Sequence, residues 1–197
     1  MEKRNPIILI HGLWNTSSIF SSITSKLDEI GIEYFAPTLS HSYGMTSIID
    51  LTNILNGLIL EKYGLEKEID ILGFSMGGII ARYWIQKFDG YKRTRRLISI
   101  GSPHKGTLMA QLVPKYPFRG ISEMKINSKF LKELANNDFF LNDIECISFY
   151  TYLDLMVFPS WWTNLNLGEK ISVKVYKHRN LVRNKVSVNK IIEKIIM

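Results

Sequence analysis

The chain has 197 residues, 46% of them apolar and 22% charged, which is the balance of a soluble globular protein with one sizeable core. The apolar stretch Ile7–Ile10 is too short for a signal peptide, and the single cysteine, Cys146, excludes an internal disulfide, so we expect a cytoplasmic protein. The net charge of +7 allows transient contact with a membrane surface, but no nucleic-acid-reading motif accompanies it, so we expect no nucleic-acid partner.

Short apolar strands alternate with amphipathic helices along the chain. Strands are predicted at Ile7–Ile10, Ile32–Ala36, Ile69–Leu72, Leu97–Ile100, Cys146–Thr151 and Ser172–Tyr176. Helices are predicted near Ser17–Ile30, Thr46–Tyr63, Gly77–Phe88, Ser128–Asn136 and Ser187–Ile196, the last with Ser187 as its N-cap. Nearly continuous apolarity is typical of parallel strands covered on both faces. The pattern predicts one α/β domain over residues 1–197, a three-layer, doubly wound, mostly parallel sheet of about six strands.

Two stretches interrupt this alternation after predicted strands. Met109–Asn127 contains two prolines and mixed apolar residues, and Leu155–Gly168 contains two adjacent tryptophans. Both follow the carboxyl ends of strands, the edge at which open α/β sheets bind ligands. Residues 108–127 are therefore a candidate for a small flap over a site.

Gly73-Phe74-Ser75-Met76-Gly77 lies between a predicted strand and a predicted helix. The glycines on either side of the serine remove side chains where strand and helix backbones crowd each other. The serine can then occupy a strained turn with its hydroxyl projecting from the sheet edge, as a nucleophile requires. Ser75 is thus the predicted nucleophile.

A serine nucleophile needs a histidine base, and the chain has four histidines. His178 follows the last predicted strand and so lies at the same sheet edge as Ser75, which makes it the predicted base. His11 ends the first strand and is expected to brace its loop. His104 is placed in the cleft, and His41 is given a surface or packing role.

The base needs a carboxylate to orient it. Asp154 follows the strand Cys146–Thr151 and stands among apolar residues, where an aspartate is costly unless it has a partner. Asp143 precedes that strand and lies at the wrong edge, while Asp138 remains the alternative. For the oxyanion, the predicted donors are the backbone N–H groups of Met76 and of Leu13, in His11-Gly12-Leu13-Trp14.

These motifs resemble the α/β-hydrolase superfamily, in particular its small lipases and esterases. Pro6–Gly12 is similar to the first strand and oxyanion loop, Gly73–Gly78 to the elbow, and Ile100–Gly106 to the segment after the next strand. The resemblance implies carboxylic ester hydrolysis through an acyl-enzyme, without cofactor or metal, with Asp154 and His178 at the acid and base positions. It also implies a compact member with little or no lid.

The sequence therefore predicts a serine hydrolase of lipid-like acyl esters. An acyltransferase or thioesterase with the same residues, and a binding protein without catalysis, remain alternatives. Aromatic side chains are expected to shape the acyl pocket, with plain core packing as the alternative for each and a membrane-facing rim as another role for the tryptophan pair. The predicted pocket residues are Trp14, Phe74, His104, Trp161 and Trp162.

Overall fold

The protein is built on one sheet of six parallel strands. A computed structural model describes residues 4–197, and in it the strands follow the order β2-β1-β3-β4-β5-β6. Their bounds are β1 (Ile7–Ile10), β2 (Tyr34–Phe35), β3 (Ile69–Phe74), β4 (Thr94–Ile100), β5 (Glu145–Tyr150) and β6 (Glu169–Ser172). The predicted doubly wound α/β fold is confirmed. The strand order reverses between β1 and β3, so the ligand crevice of such a sheet is expected above their carboxyl ends.

Residues 4–197 contain eight α-helices, six between strands and two after β6. They are α1 (Ser21–Ile30), α2 (Ile48–Tyr63), α3 (Met76–Lys87), α4 (Leu108–Gln111), α5 (Arg119–Glu123), α6 (Lys129–Asn136), α7 (Asn180–Arg183) and α8 (Lys185–Ile196). Short 3₁₀ helices lie at Ser17–Phe20, Ser42–Gly44, Gly90–Lys92, Asp138–Leu141 and Ser160–Thr163. No helix in this part of the chain is long and apolar enough to cross a bilayer.

Two apolar layers enclose the sheet. Along β1, Ile8 and Ile10 join α2, α3 and α6 on one face, whereas Ile7 and Leu9 join α1, α7 and α8 on the other. All four side chains are buried. Because successive side chains of a strand point to opposite faces, a strand covered on both sides has no face toward solvent, which explains the unbroken apolar run of β1.

The last strand differs most from its prediction. It runs from Glu169 to Ser172, whereas the apolar pattern had predicted Ser172–Tyr176. β6 is an edge strand with largely exposed side chains, so hydrophobicity does not mark it. Val173 and Val175, just beyond it, are buried in the core layer. The pattern therefore detected the buried extension of the strand and missed the paired residues.

The final helix begins earlier than predicted. Its N-cap is Asn184, whose side chain accepts a hydrogen bond from the Val186 N–H at 2.9 Å. Ser187 is buried inside the first turn, and its hydroxyl donates to the Leu181 carbonyl. The prediction of Ser187 as N-cap is wrong, because a capping asparagine three residues upstream performs that role.

Candidate active site

Ser75 occupies a strained turn between β3 and α3. Its backbone has φ 56° and ψ −126°, a conformation that costs a non-glycine residue roughly 1–3 kcal/mol. Its N–H donates to the Ile100 carbonyl at 2.8 Å, which ties the turn to β4. A Cβ at Gly77 would lie 2.0 Å from the Ile10 carbonyl oxygen, so only glycine permits this approach of helix and strand. The predicted strand–turn–helix is confirmed.

Asp154 and His178 form a buried pair at the same sheet edge. Asp154 lies in the loop after β5, and His178 lies between β6 and α7. The His178 Nδ1 is 2.6 Å from Asp154 Oδ2, while Asp154 Oδ1 accepts from the N–H groups of Met156 and Val157 at 2.9 and 3.1 Å. With Nδ1 donating to a carboxylate, the neutral imidazole has its lone pair on Nε2.

The second ring nitrogen of His178, Nε2, is the one that Asp154 does not contact. It is buried and has no hydrogen-bond partner among residues 4–197. The imidazole lies against the Phe74 ring, with 4.7 Å between ring centroids. Ser75 and His178 both line one cavity of about 530 Å³. The structure thus brings the predicted base and acid into contact and places the serine on the same cavity.

The loop after β1 lies directly against the serine. A Cβ at Gly12 would be 2.6 Å from the Ser75 Cβ, so this loop passes within contact distance of the elbow. The hydrogen bonds of residues 4–197 include none donated by the Leu13 N–H. Met76 is the first residue of α3, a position whose N–H has no partner within the helix. Both predicted oxyanion donors therefore adjoin Ser75.

His11 fixes the direction of that loop. The Leu39 N–H donates to His11 Nε2 at 2.8 Å, so the ring proton is on Nδ1, which donates to the Gly12 carbonyl at 2.9 Å. Carbonyl and N–H of a trans peptide point in opposite directions, so drawing the Gly12 carbonyl toward His11 turns the Leu13 N–H away from it. A ring that accepts a hydrogen bond at Nε2 is neutral, and burial lowers the pKa of His11, which favours the same form. The predicted bracing of the loop by His11 is confirmed.

We expect His11→Ala to lower kcat more than it raises KM. Loss of one oxyanion donor lowers kcat roughly 10²–10³-fold. Without the His11 ring the Gly12 carbonyl is no longer held, so the Leu13 N–H loses its orientation and kcat should fall by up to that factor. His41→Ala is the matched control, because its ring lies beside His11 at 6.1 Å between centroids. Steady-state kinetics with thermal unfolding checks this, and unchanged kcat in a folded His11→Ala variant would contradict it.

One wall of the cavity is apolar. The segment 108–127, which includes α4 and α5, provides half of the apolar lining, and the loops after β1, β4 and β5 add the rest. A volume of about 530 Å³ is within the roughly 300–1,000 Å³ common for small-molecule sites. The apolar lining residues are Leu13, Trp14, Pro103, Met109, Ala110, Val113, Ile121, Met124, Met156 and Val157.

A further part of the lining, the cationic wall, is polar and positively charged, and sequence reasoning missed it. Lys177 and Arg179 flank the predicted base, and that adjacency was the available signal. Among residues 4–197, no three His, Cys, Asp or Glu side chains are grouped as metal ligands. The polar lining residues of this wall are Asn15, Lys177, Arg179, Asn180 and Arg183.

Of the five predicted pocket residues, only Trp14 lines the cavity. Phe74 is fully buried beneath the His178 ring. His104 is buried and hydrogen-bonds through Nε2 to Ser99 Oγ at 2.7 Å, and burial lowers its pKa well below the ordinary value. Trp161 and Trp162 lie in a 3₁₀ helix outside the cavity, with Trp161 57% exposed. These four pocket predictions are wrong because aliphatic and methionine side chains form the apolar wall.

Glu123 fastens the segment 108–127, called the flap segment below, to the body of the protein. It ends α5, and its Oε2 accepts a hydrogen bond from the Ile48 N–H, at the first residue of α2, at 2.6 Å. Burial raises the pKa of Glu123, and the hydrogen bond from Ile48 lowers it. Burial is the larger effect, so the pKa is about 7. Neighbouring residues Ile121 and Met124 line the cavity, so this contact holds one of its walls.

The stability of the protein should fall as pH rises from about 4.5 to about 7. In this interval the unfolded chain releases the Glu123 proton before the folded chain does, so ionisation favours unfolding. Glu123→Gln keeps an acceptor for the Ile48 N–H and should flatten this slope, whereas Glu61→Gln on the exposed face of α2 should not. Denaturant unfolding at a series of pH values checks it. Equal slopes in the wild type and Glu123→Gln would contradict it.

The parallel sheet, the serine elbow and the histidine–aspartate pair at one edge define an α/β hydrolase. The structure resembles a mature lipase of Bacillus licheniformis (TM-score 0.76, 13% identity, 99% of this chain and 93% of that one). It also resembles Aspergillus fumigatus lipase B (TM-score 0.77, 14% identity, 98% of this chain and 53% of that one). A third similar structure is an α/β hydrolase from the metagenome of Mar Chica lagoon sediments (TM-score 0.72, 18% identity, 97% of this chain and 90% of that one).

The family of the chain is identified by a match between its sequence and a family model. The model of the palmitoyl protein thioesterase family matches residues 6–170, most of the chain. The chain belongs to this family. The matched range includes Ser75 and Asp154 and ends before His178, so the histidine is assigned from its contact with Asp154.

Proposed function

We propose that this protein hydrolyses carboxylic esters of apolar acyl chains, with Ser75 as nucleophile, His178 as base and Asp154 as its orienting acid. One observation carries the proposal. The His178 Nδ1 is bonded to Asp154, and its unpartnered Nε2 lies on the cavity that Ser75 lines from a strained turn. Membership in a family of hydrolases supports it.

In the acylation step, Ser75 Oγ attacks the ester carbonyl and its proton passes to His178 Nε2. Asp154 holds the Nδ1–H and stabilises the imidazolium. The Leu13 and Met76 N–H groups donate to the oxyanion, and each such donor is worth roughly 3–4 kcal/mol in the transition state. The bond to the leaving oxygen then breaks, and that oxygen takes the proton from Nε2, which leaves the acyl group on Ser75.

Deacylation repeats these steps with water. His178 Nε2 removes a proton from a water molecule, whose oxygen attacks the acyl carbonyl. The bond to Ser75 Oγ breaks, and the serine recovers its proton from Nε2. The net reaction consumes one ester and one water and gives one carboxylic acid and one alcohol.

The apolar wall gives the substrate class. Ten apolar residues line the cavity, which favours an acyl chain of aliphatic character. Transient contact with a membrane surface remains a proposal. Large exposed apolar side chains on the flap segment and on the loop after β5 support it: Leu112, Leu155, Phe158 and Trp161.

A thioesterase is the second candidate, favoured by the name of the family. The same residues would serve, since only the leaving atom changes from oxygen to sulfur. Turnover of octanoyl and palmitoyl O-esters and of their matched thioesters separates the two, with Ser75→Ala as the blank. Serine-dependent turnover of O-esters supports the lead proposal, and turnover confined to thioesters replaces it. Ester product formed with an added alcohol would indicate acyl transfer.

A further inference from the structure

The cationic wall of the cavity belongs to the segment that carries the base. Lys177 and Arg179 adjoin His178 in sequence, and Arg183 ends the short helix α7 four residues later. All three residues line the cavity and are exposed to solvent. No aspartate or glutamate is among the lining residues that the structure describes.

None of these three cations forms an ion pair with an acidic residue among residues 4–197. Within residues 4–197, eight ion pairs are formed, and none includes Lys177, Arg179 or Arg183. Other basic residues do have structural partners: Arg82 pairs with Asp138, and Arg96 with Glu145. A concave site with charge of one sign concentrates ligands of the opposite sign.

The position of the wall identifies the part of the substrate that meets it. In the proposed mechanism, His178 Nε2 gives its proton to the leaving atom, so the leaving group lies on the His178 side of the cavity. The acyl chain lies against the apolar wall formed by the flap segment and Met156. The cations therefore face the leaving group.

We propose that the protein prefers acyl esters or thioesters whose leaving group carries phosphate, bound by Lys177, Arg179 and Arg183. This inference rests on the proposed function. Guanidinium groups match phosphate oxygens in paired hydrogen bonds, and a phosphomonoester with about 1.5–2 negative charges balances three cations better than one carboxylate does. The phosphate could belong to a lipid headgroup or to a soluble nucleotide-bearing thiol.

Two matched substrate pairs test the preference and distinguish these sources. One pair is octanoyl-coenzyme A and S-octanoyl-N-acetylcysteamine, and the other is 1-octanoylglycerol 3-phosphate and 1-octanoylglycerol. For each pair, the preference is the ratio of kcat/KM for the charged substrate to that for the neutral one. We expect a ratio of roughly 10- to 10³-fold in at least one pair, falling as salt is added.

Charge reversal gives the second half of the test. Arg179→Glu/Arg183→Glu should remove the preference mainly through KM, because the interaction exists before and during the reaction. Arg179→Gln/Arg183→Gln should have an intermediate effect. Lys185→Glu/Lys190→Glu changes exposed cations of α8 that do not line the cavity, and should leave the ratio unchanged.

Direct binding separates this inference from the proposed function. Calorimetry on Ser75→Ala compares the Kd values of the charged and neutral members of each pair without turnover. Tighter binding of a charged member, lost on adding the Arg179→Glu/Arg183→Glu changes, supports the inference even if no hydrolysis is found. Equal Kd values within both pairs, or a preference that survives charge reversal, would overturn it.

Discussion

Ser75→Ala should abolish ester hydrolysis while leaving the fold intact. We expect kcat to fall by roughly 10⁴–10⁶-fold, because the variant has no atom to form the acyl-enzyme. The backbone bond from residue 75 to the Ile100 carbonyl does not need the hydroxyl, so the turn should persist. Hydrolysis of p-nitrophenyl esters from short to long acyl chains, with thermal unfolding, measures both effects.

Cys146→Ser is the control for this experiment. Cys146 is buried in β5, and burial, with a smaller effect of Asp138, raises the pKa of its thiol to about 12, so it has little thiolate at neutral pH. Turnover should therefore remain largely unchanged. A collapse of Cys146→Ser to the level of Ser75→Ala would make the cysteine the nucleophile and contradict the mechanism.

Asp154→Asn should have the second largest effect, a fall of about 10⁴-fold in kcat with a smaller change in KM. The asparagine oxygen can still accept from the Met156 and Val157 N–H groups, as Asp154 Oδ1 does now. Its amide group would then face His178 and donate to Nδ1, which moves the ring proton to Nε2. A protonated Nε2 cannot accept the serine proton. The same ester assay measures the loss.

Asp143→Asn is the matched control for Asp154→Asn. Asp143 is exposed and precedes β5, at the opposite edge of the sheet from Ser75. We expect its activity to equal that of the wild type. If a folded Asp154→Asn variant also kept wild-type kcat, the histidine would not depend on this carboxylate and the assignment of the acid would be wrong.

Much of the fold could be predicted because its signals are local. Strands buried on both faces are mostly apolar, and the four residues of β1 show this directly. The elbow needs glycine where backbones touch, so Ser75 stands in a short recognisable motif. β6 has no such signal, because an edge strand with exposed side chains resembles a loop in composition.

The candidate site was predictable only in part, for a physical reason. Loops that follow parallel strands meet at one edge, so chain order alone indicated that Asp154 and His178 would be near each other. Which side chains of those loops face the cavity depends on the loop conformation. Loops lack the regular hydrophobic spacing of helices and strands, so the sequence does not indicate which side chains these are. Phe74, the last residue of β3, was therefore wrongly placed in the pocket, and Arg183 was overlooked.

The most direct test of the central claim is to find the acyl group on the protein. The chain is mixed with a p-nitrophenyl ester, quenched in acid, and mapped by mass spectrometry of its peptides. We predict one acyl group on the peptide that contains Ser75, absent from Ser75→Ala and increased in lifetime by slow deacylation in Asp154→Asn. Turnover with the acyl group on another residue, or with no acyl-enzyme formed under single-turnover conditions, would contradict the proposed mechanism.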